Sequence, residues 1–146
     1  MDITRLTDQL IRDEGLVLHA YQDSLGYWTI GAGRLIDARK GGGISEAEAR
    51  LLLTNDIHRF HAELLEALPW VADAPEGVQE VLTNMAFNLG VGGLLGFRNT
   101  LALIKDGKCA EAAAEMLRSR WAGQVGARAK RLSETLSSAC GPENAT

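Results

Sequence analysis

The stretch Glu14–Arg34, EGLVLHAYQDSLGYWTIGAGR, decides how this chain is read. It opens with a carboxylate and a glycine at the end of an amphipathic helix. It continues through residues rich in Tyr, Trp, Thr, Val and Ile, interrupted at Ser24-Leu25-Gly26, Gly31 and Gly33. Such residues with such breaks predict short antiparallel strands, near 18–22, 27–30 and 34–36. Asp23 falls just before the first turn and Thr29 on the returning strand. An aspartate there, taken alone, is more often a turn residue bonding its own backbone. Together, Glu14, Asp23 and Thr29 place two acids and a hydroxyl in one short span, the residue types that acid/base hydrolysis requires.

Upstream, Ile3, Leu6, Leu10 and Ile11 share one helical face behind Asp2, predicting a helix over 3–14 that Gly15 ends in a left-handed conformation. Downstream, 37–44 reads as a loop, and Ser45 with Glu48 forms a capping box opening a long helix to about Leu68. His58 and His61 stand three apart on it, but no third ligand accompanies them, so no metal is assigned. Pro69 ends this helix, and Asp73 and Glu76 around Pro75 announce the next. That helix carries Val78, Val81, Leu82, Met85, Ala86 and Leu89 as a continuous apolar face until Gly90 stops it. Shorter helices are expected at 98–105, 109–118, 120–123 and 127–138, before a tail from Gly141 that frays.

The chain has 146 residues, 46% of them hydrophobic and 23% charged, which suits one domain with a real core. Its net charge of −4 argues against a dedicated nucleic-acid binder. The uncharged run Val81–Phe97 contains two Asn and four Gly and is too short for a bilayer span. No secretory signal or membrane anchor is read at the start. Two cysteines, Cys109 and Cys140, are too few for a disulfide framework and favour a reducing cytoplasm, while leaving a single bridge open.

The order Glu14, eight residues, Asp23, five residues, Thr29, then Ile30-Gly31-Ala32-Gly33 resembles the catalytic segment of the phage-type lysozymes. Further blocks resemble that family in its own order: Asn84-Met85-Ala86-Phe87-Asn88-Leu89-Gly90, Gly96-Phe97-Arg98-Asn99-Thr100-Leu101, Ser119-Arg120-Trp121 and Arg128-Ala129-Lys130-Arg131. The resemblance implies an α+β, mostly helical fold. A small lobe with a short antiparallel sheet (15–45), a connecting helix (46–68) and a larger helical lobe (69–146 with 1–14) would flank a peptidoglycan-binding cleft. It implies hydrolysis of the β-1,4 bond between N-acetylmuramic acid and N-acetylglucosamine, with Glu14 as acid, Asp23 as base and Thr29 positioning water. Leu35, Phe87 and Thr100 would touch substrate, and Arg128 would pair with Glu14. Arg34 and Asp56 replace a His–Asp pair, and Glu115 replaces an Asn.

No cofactor is expected, nor any partner besides peptidoglycan: a monomer without nucleic acid or stable membrane association. It would be made in a host cytoplasm and reach the wall through a holin-type membrane lesion. Two other readings remain at this stage. A lytic transglycosylase would cleave the same bond with one essential Glu and no attacking water, and a silent wall-binding module would not cleave at all.

Overall fold

The computed structural model describes residues 1–36 and 42–141. The expected 37–44 loop and the tail beyond Gly141 lie largely outside the described residues. The chain divides into two compact units, Met1–Leu52 and Leu53–Thr146. The architecture is α+β and mostly helical, as expected.

The first unit begins with α1 (Ile3–Glu14), whose N-terminus is capped by Asp2 accepting from the Arg5 N–H at 3.0 Å. Gly15 ends it with its N–H on the Ile11 carbonyl, at φ 79° and ψ 160°. The positive φ fits the expectation, but the ψ lies outside the left-handed helical region. Three strands follow, β1 (Val17–Gln22), β2 (Trp28–Gly31) and β3 (Arg34–Leu35), forming an antiparallel sheet in the order β1-β2-β3. Tyr21 faces Thr29 across the first pair and Thr29 faces Leu35 across the second.

The capping box forms as read. Ser45 Oγ accepts from the Glu48 N–H at 3.1 Å, and Glu48 Oε1 accepts from the Ser45 N–H at 2.9 Å, opening α2 (Glu46–Ala67). The sequence did not reveal that Glu48 also binds the Arg34 guanidinium, at 2.7 and 2.9 Å. Hydrogen bonding from Arg34, and then from Ser45, lowers the Glu48 pKa from 4.5 to about 2.

In the second unit, α2 ends at Ala67 and Pro69–Asp73 forms a 3₁₀ turn that the sequence reading lacked. The next helix, α3 (Glu76–Leu95), is not capped by Asp73: Pro75 stands at the N-cap with no side-chain bond. Its apolar face is fully buried at Val78, Val81, Leu82, Met85 and Ala86. Gly90 does not end it. With φ 75° and ψ 157°, Gly90 breaks the regular geometry, and helical turns resume as far as Leu95.

Around this buried helix run α4 (Arg98–Lys105), α5 (Cys109–Leu117), α6 (Arg120–Val125) and α7 (Ala127–Ala139). Gly123, expected to end the third of these, lies inside it. Leu101, Ile104, Met116, Trp121, Leu132 and Leu136 complete the core with α3. Ser119 caps α6, accepting from the Ala122 N–H at 3.1 Å while donating to the Met116 carbonyl. Cys109 and Cys140, which the sequence left open, are joined as a disulfide, with Cα atoms 5.9 Å apart. No described helix is long and apolar enough to cross a membrane.

Two outcomes follow from these contacts. The bridge closes a loop of sequence separation 31, so reduction, or Cys109→Ser, should cost about 3–4 kcal/mol by the loop-closure relation. Thermal melts with and without reductant would read this as a fall in midpoint. Because the folded pKa of Glu48 is depressed, its contribution is present above pH 4.5 and is lost as pH falls through about 2. Glu48→Gln should therefore melt below wild type at neutral pH, and the gap should close across that acid window.

Candidate active site

Glu14, Asp23, Thr29, Arg34 and Leu35 all belong to the first unit. Asp56, Phe87, Thr100 and Arg128 belong to the second.

Asp23 is held by the hairpin it starts. The Gly26 N–H donates to the Asp23 carbonyl at 3.0 Å, the Asp23 N–H donates to the Tyr27 carbonyl at 2.8 Å, and Gly26 takes φ 85°. A turn of this shape needs a glycine at its positive-φ corner. The side chain reinforces it: Oδ1 accepts from the N–H groups of Leu25 and Tyr27, both at 2.9 Å. The turn reading of this aspartate is therefore correct for one oxygen. The other, Oδ2, has no partner among the described residues. The carboxylate is fixed in direction and still has one oxygen available for chemistry.

Thr29, at 3% exposure, is buried in the middle strand between Tyr21 and Leu35. Its hydroxyl donates its one proton to the Tyr27 carbonyl at 3.0 Å. Toward any further group, including water, the hydroxyl can then act only as an acceptor. Leu35, expected to touch substrate, is brought beside it by the strand register.

Glu14, the last residue of α1, lies on the turn between β2 and β3. A methyl group placed on Gly33 would stand 3.1 Å from Glu14 Oε2 and 3.3 Å from its Cδ. Gly33 also has φ +77°, a conformation that side chains other than glycine's rarely adopt. Its place in the Gly-x-Gly motif was visible in the sequence. That it leaves room for the Glu14 carboxylate was not, because the contact depends on where α1 packs.

The two supporting ions each have a partner within their own unit: Arg34 on Glu48 at 2.7 Å and Asp56 with Arg59 at 3.4 Å. In the second unit the Arg128 guanidinium embraces Asn84. Nε and Nη2 donate to its Oδ1 at 3.0 and 2.7 Å, and Nη2 reaches its carbonyl at 3.3 Å. Asn84, unassigned from sequence, stands three residues before Phe87, one turn back on the same helix face. Phe87 packs against Phe60 with ring centroids 5.3 Å apart. Asn84, Phe87 and Arg128 line a cavity of about 580 Å³ with Ile57, His61 and Glu80. His61 there is engaged by Gln79 at 2.9 Å. Thr100 lines a second cavity, at the start of α4.

Comparison with known proteins adds an independent line of evidence. Residues 12–135 match the family described as phage lysozyme. The chain is 29% identical to "Probable T4-type lysozyme 1" of Dictyostelium discoideum, over 89% of this chain and 92% of that protein. It is 28% identical to "Probable T4-type lysozyme 2" of the same organism, with the same coverage. It is also 29% identical to the pre-baseplate central spike protein Gp5 of Enterobacteria phage T4, over 87% of this chain and 26% of that longer protein.

The packing of Glu14 on Gly33 can be tested directly. Gly33→Ala should lose about 1–2 kcal/mol from the positive φ alone, seen as a lower thermal midpoint. It should also move the side-chain carboxyl ¹³C resonance of Glu14. A resonance unmoved by the added methyl would show that the carboxylate does not rest there.

Proposed function

Because this chain belongs to the phage lysozyme family and is a glycoside hydrolase of the muramidase type, we propose that Glu14, Asp23 and Thr29 cleave the peptidoglycan glycan by acid/base attack of water. The bond is the β-1,4 link from N-acetylmuramic acid C1 to the O4 of N-acetylglucosamine. Glu14 delivers a proton to the leaving O4 as the C1–O4 bond breaks. A water adds its oxygen to C1 and gives one proton to Asp23 Oδ2. Solvent then returns both carboxyls to their starting states.

The observation that carries this reading is the division of labour within the Asp23 carboxylate. One oxygen is committed to two backbone N–H groups, and the other has no partner among the described residues. Thr29 complements it. With its own proton given to Tyr27, it accepts one from the water and so turns a lone pair of that water away from itself, for attack. In the first unit Leu35, and in the second Phe87 and Thr100, serve as substrate contacts, while Arg128 holds Asn84 beside Phe87. The biological setting we propose is lysis of a bacterial host, in keeping with the phage spike protein among the relatives.

Kinetics on purified peptidoglycan test the assignment. Glu14→Gln should abolish release of reducing ends while the thermal melt stays close to wild type. Asp23→Asn should lower kcat by about two to four powers of ten, the usual worth of acid/base assistance, with little change in KM. Thr29→Ala should cost less than Asp23→Asn, since it orients the water without taking its proton. Glu14→Gln activity within tenfold of wild type would remove Glu14 as the acid.

A further inference from the structure

Arg34 ties the last strand of the sheet to the start of α2. Its Nη2 stands 2.7 Å from Glu48 Oε2 and its Nη1 donates to Glu48 Oε1 at 2.9 Å, a two-pronged contact that fixes direction as well as distance. Nη1 also donates to the Gly43 carbonyl at 3.0 Å, and the Gly43 N–H donates to the Leu35 carbonyl at 2.8 Å. A further donor, the Ser45 N–H, reaches Glu48 Oε1 at 2.9 Å. Thus β3 is joined to residues 43–48 through backbone and side chain together.

What this junction positions is the turn before it. Strand β3 has two residues, and its ladder pairs only Thr29 with Leu35 and Ile30 with Arg34, so its own pairing gives it little hold. Gly33 immediately precedes it, and a methyl group on Gly33 would stand 3.1 Å from Glu14 Oε2. The Glu14 carboxylate therefore rests on backbone directly attached to Arg34. Among the described residues no hydrogen bond or ion pair holds that carboxylate, so its direction depends on what it packs against. Arg34 and Glu48 are 47% and 41% exposed. An ion pair so exposed adds modestly to stability, which leaves geometry as what it chiefly supplies.

We propose that Arg34 and Glu48 are positioning residues of the reaction: by fixing β3 they hold the Gly33 turn, and with it the direction in which the Glu14 carboxyl delivers its proton. This deepens the reading of Glu14 as the acid and rests on it. Proton delivery needs the acid within hydrogen-bond reach of the leaving oxygen, and misplacement by an ångström costs about a hundredfold in rate. Arginine suits the task because its planar fork meets both carboxylate oxygens at once, whereas a lysine ammonium is a single point charge. The pKa of Glu48 is lowered to about 2 and a guanidinium keeps its proton. The contact therefore stays charged on both sides through the mildly acidic and neutral range.

Kinetics on purified peptidoglycan, together with the ¹³C resonance of the Glu14 side-chain carboxyl, test this. Arg34→Gln should lower kcat about tenfold, with KM changed by about twofold at most, the pattern of a displaced acid and not of weakened binding. Glu48→Gln should lower kcat severalfold. Both should move the Glu14 resonance in the same sense. The two substitutions remove opposite charges, so a common sense of shift reports displacement of the carboxyl and not a change of field. Arg34→Lys should recover part of the lost rate, since it restores the charge without the fork. Ser45→Ala is the structural control: it removes the hydroxyl that accepts from the Glu48 N–H and lowers the thermal midpoint, yet should leave kcat near wild type. An unchanged kcat in Arg34→Gln, a change confined to KM, resonance shifts of opposite sense, or an equal loss of kcat in Ser45→Ala would each overturn the proposal. Glu14→Gln, measured alongside, separates the two readings. If it is inactive while Arg34→Gln keeps full turnover, only the positioning role falls. If Glu14→Gln keeps its activity, the acid assignment falls, and the positioning role with it.

Discussion

Two backbone N–H groups, those of Leu25 and Tyr27, converge on one oxygen of Asp23, and the arrangement of the first unit follows from that convergence. It closes the hairpin at a fixed length, and hairpin length sets strand register. Register in turn places Thr29 between Tyr21 and Leu35, where it is buried and its hydroxyl proton is taken by Tyr27. A one-residue slip would turn Thr29 to the other face of the sheet. The same side chain therefore builds the turn and keeps a second oxygen, without a partner among the described residues, that the proposed chemistry uses. Glu14 reaches this sheet from α1 because Gly33 leaves space on the following turn.

The second unit rests on a different constraint, the burial of one face of α3. Val78, Val81, Leu82, Met85 and Ala86 are fully enclosed. The polar positions of the same helix are left to tie down its neighbours. Asn84 receives Arg128 from α7, and Asn88 accepts from the indole N–H of Trp121 at 2.8 Å. Trp121 then meets Phe97 edge-on at 5.9 Å, just before α4 begins. That chain of contacts sets where α4 begins. The disulfide between the start of α5 and the end of α7 adds a covalent tie to the same core.

Much of this was legible in the sequence, for identifiable reasons. Local signals survived intact: the Asp2 and Ser45–Glu48 caps, and the apolar face of α3 up to Gly90, depend on residues three or four apart. What sequence missed were second roles and backbone alternatives. Glu48 read as a cap because Ser45 is near it. Its grip on Arg34 crosses fourteen residues, which no local rule sees. Gly90 read as a stop, and its positive φ does break the helix, but the apolar residues beyond it had enough core to pack against for turns to resume. Asp23 shows the opposite case: in the sequence, turn chemistry and the proposed catalysis read as rivals, whereas the side chain commits one oxygen to the turn and leaves the other without a partner among the described residues.

In the proposed reaction water, activated by Asp23, is the nucleophile. The most direct measurement is mass spectrometry of peptidoglycan digested by the wild-type enzyme in H₂¹⁸O, with the fragments trapped by reduction as they form. Attack by water leaves reducing N-acetylmuramic acid ends carrying one ¹⁸O at C1. Unlabelled 1,6-anhydro ends, formed when the sugar's own 6-hydroxyl attacks, would contradict it.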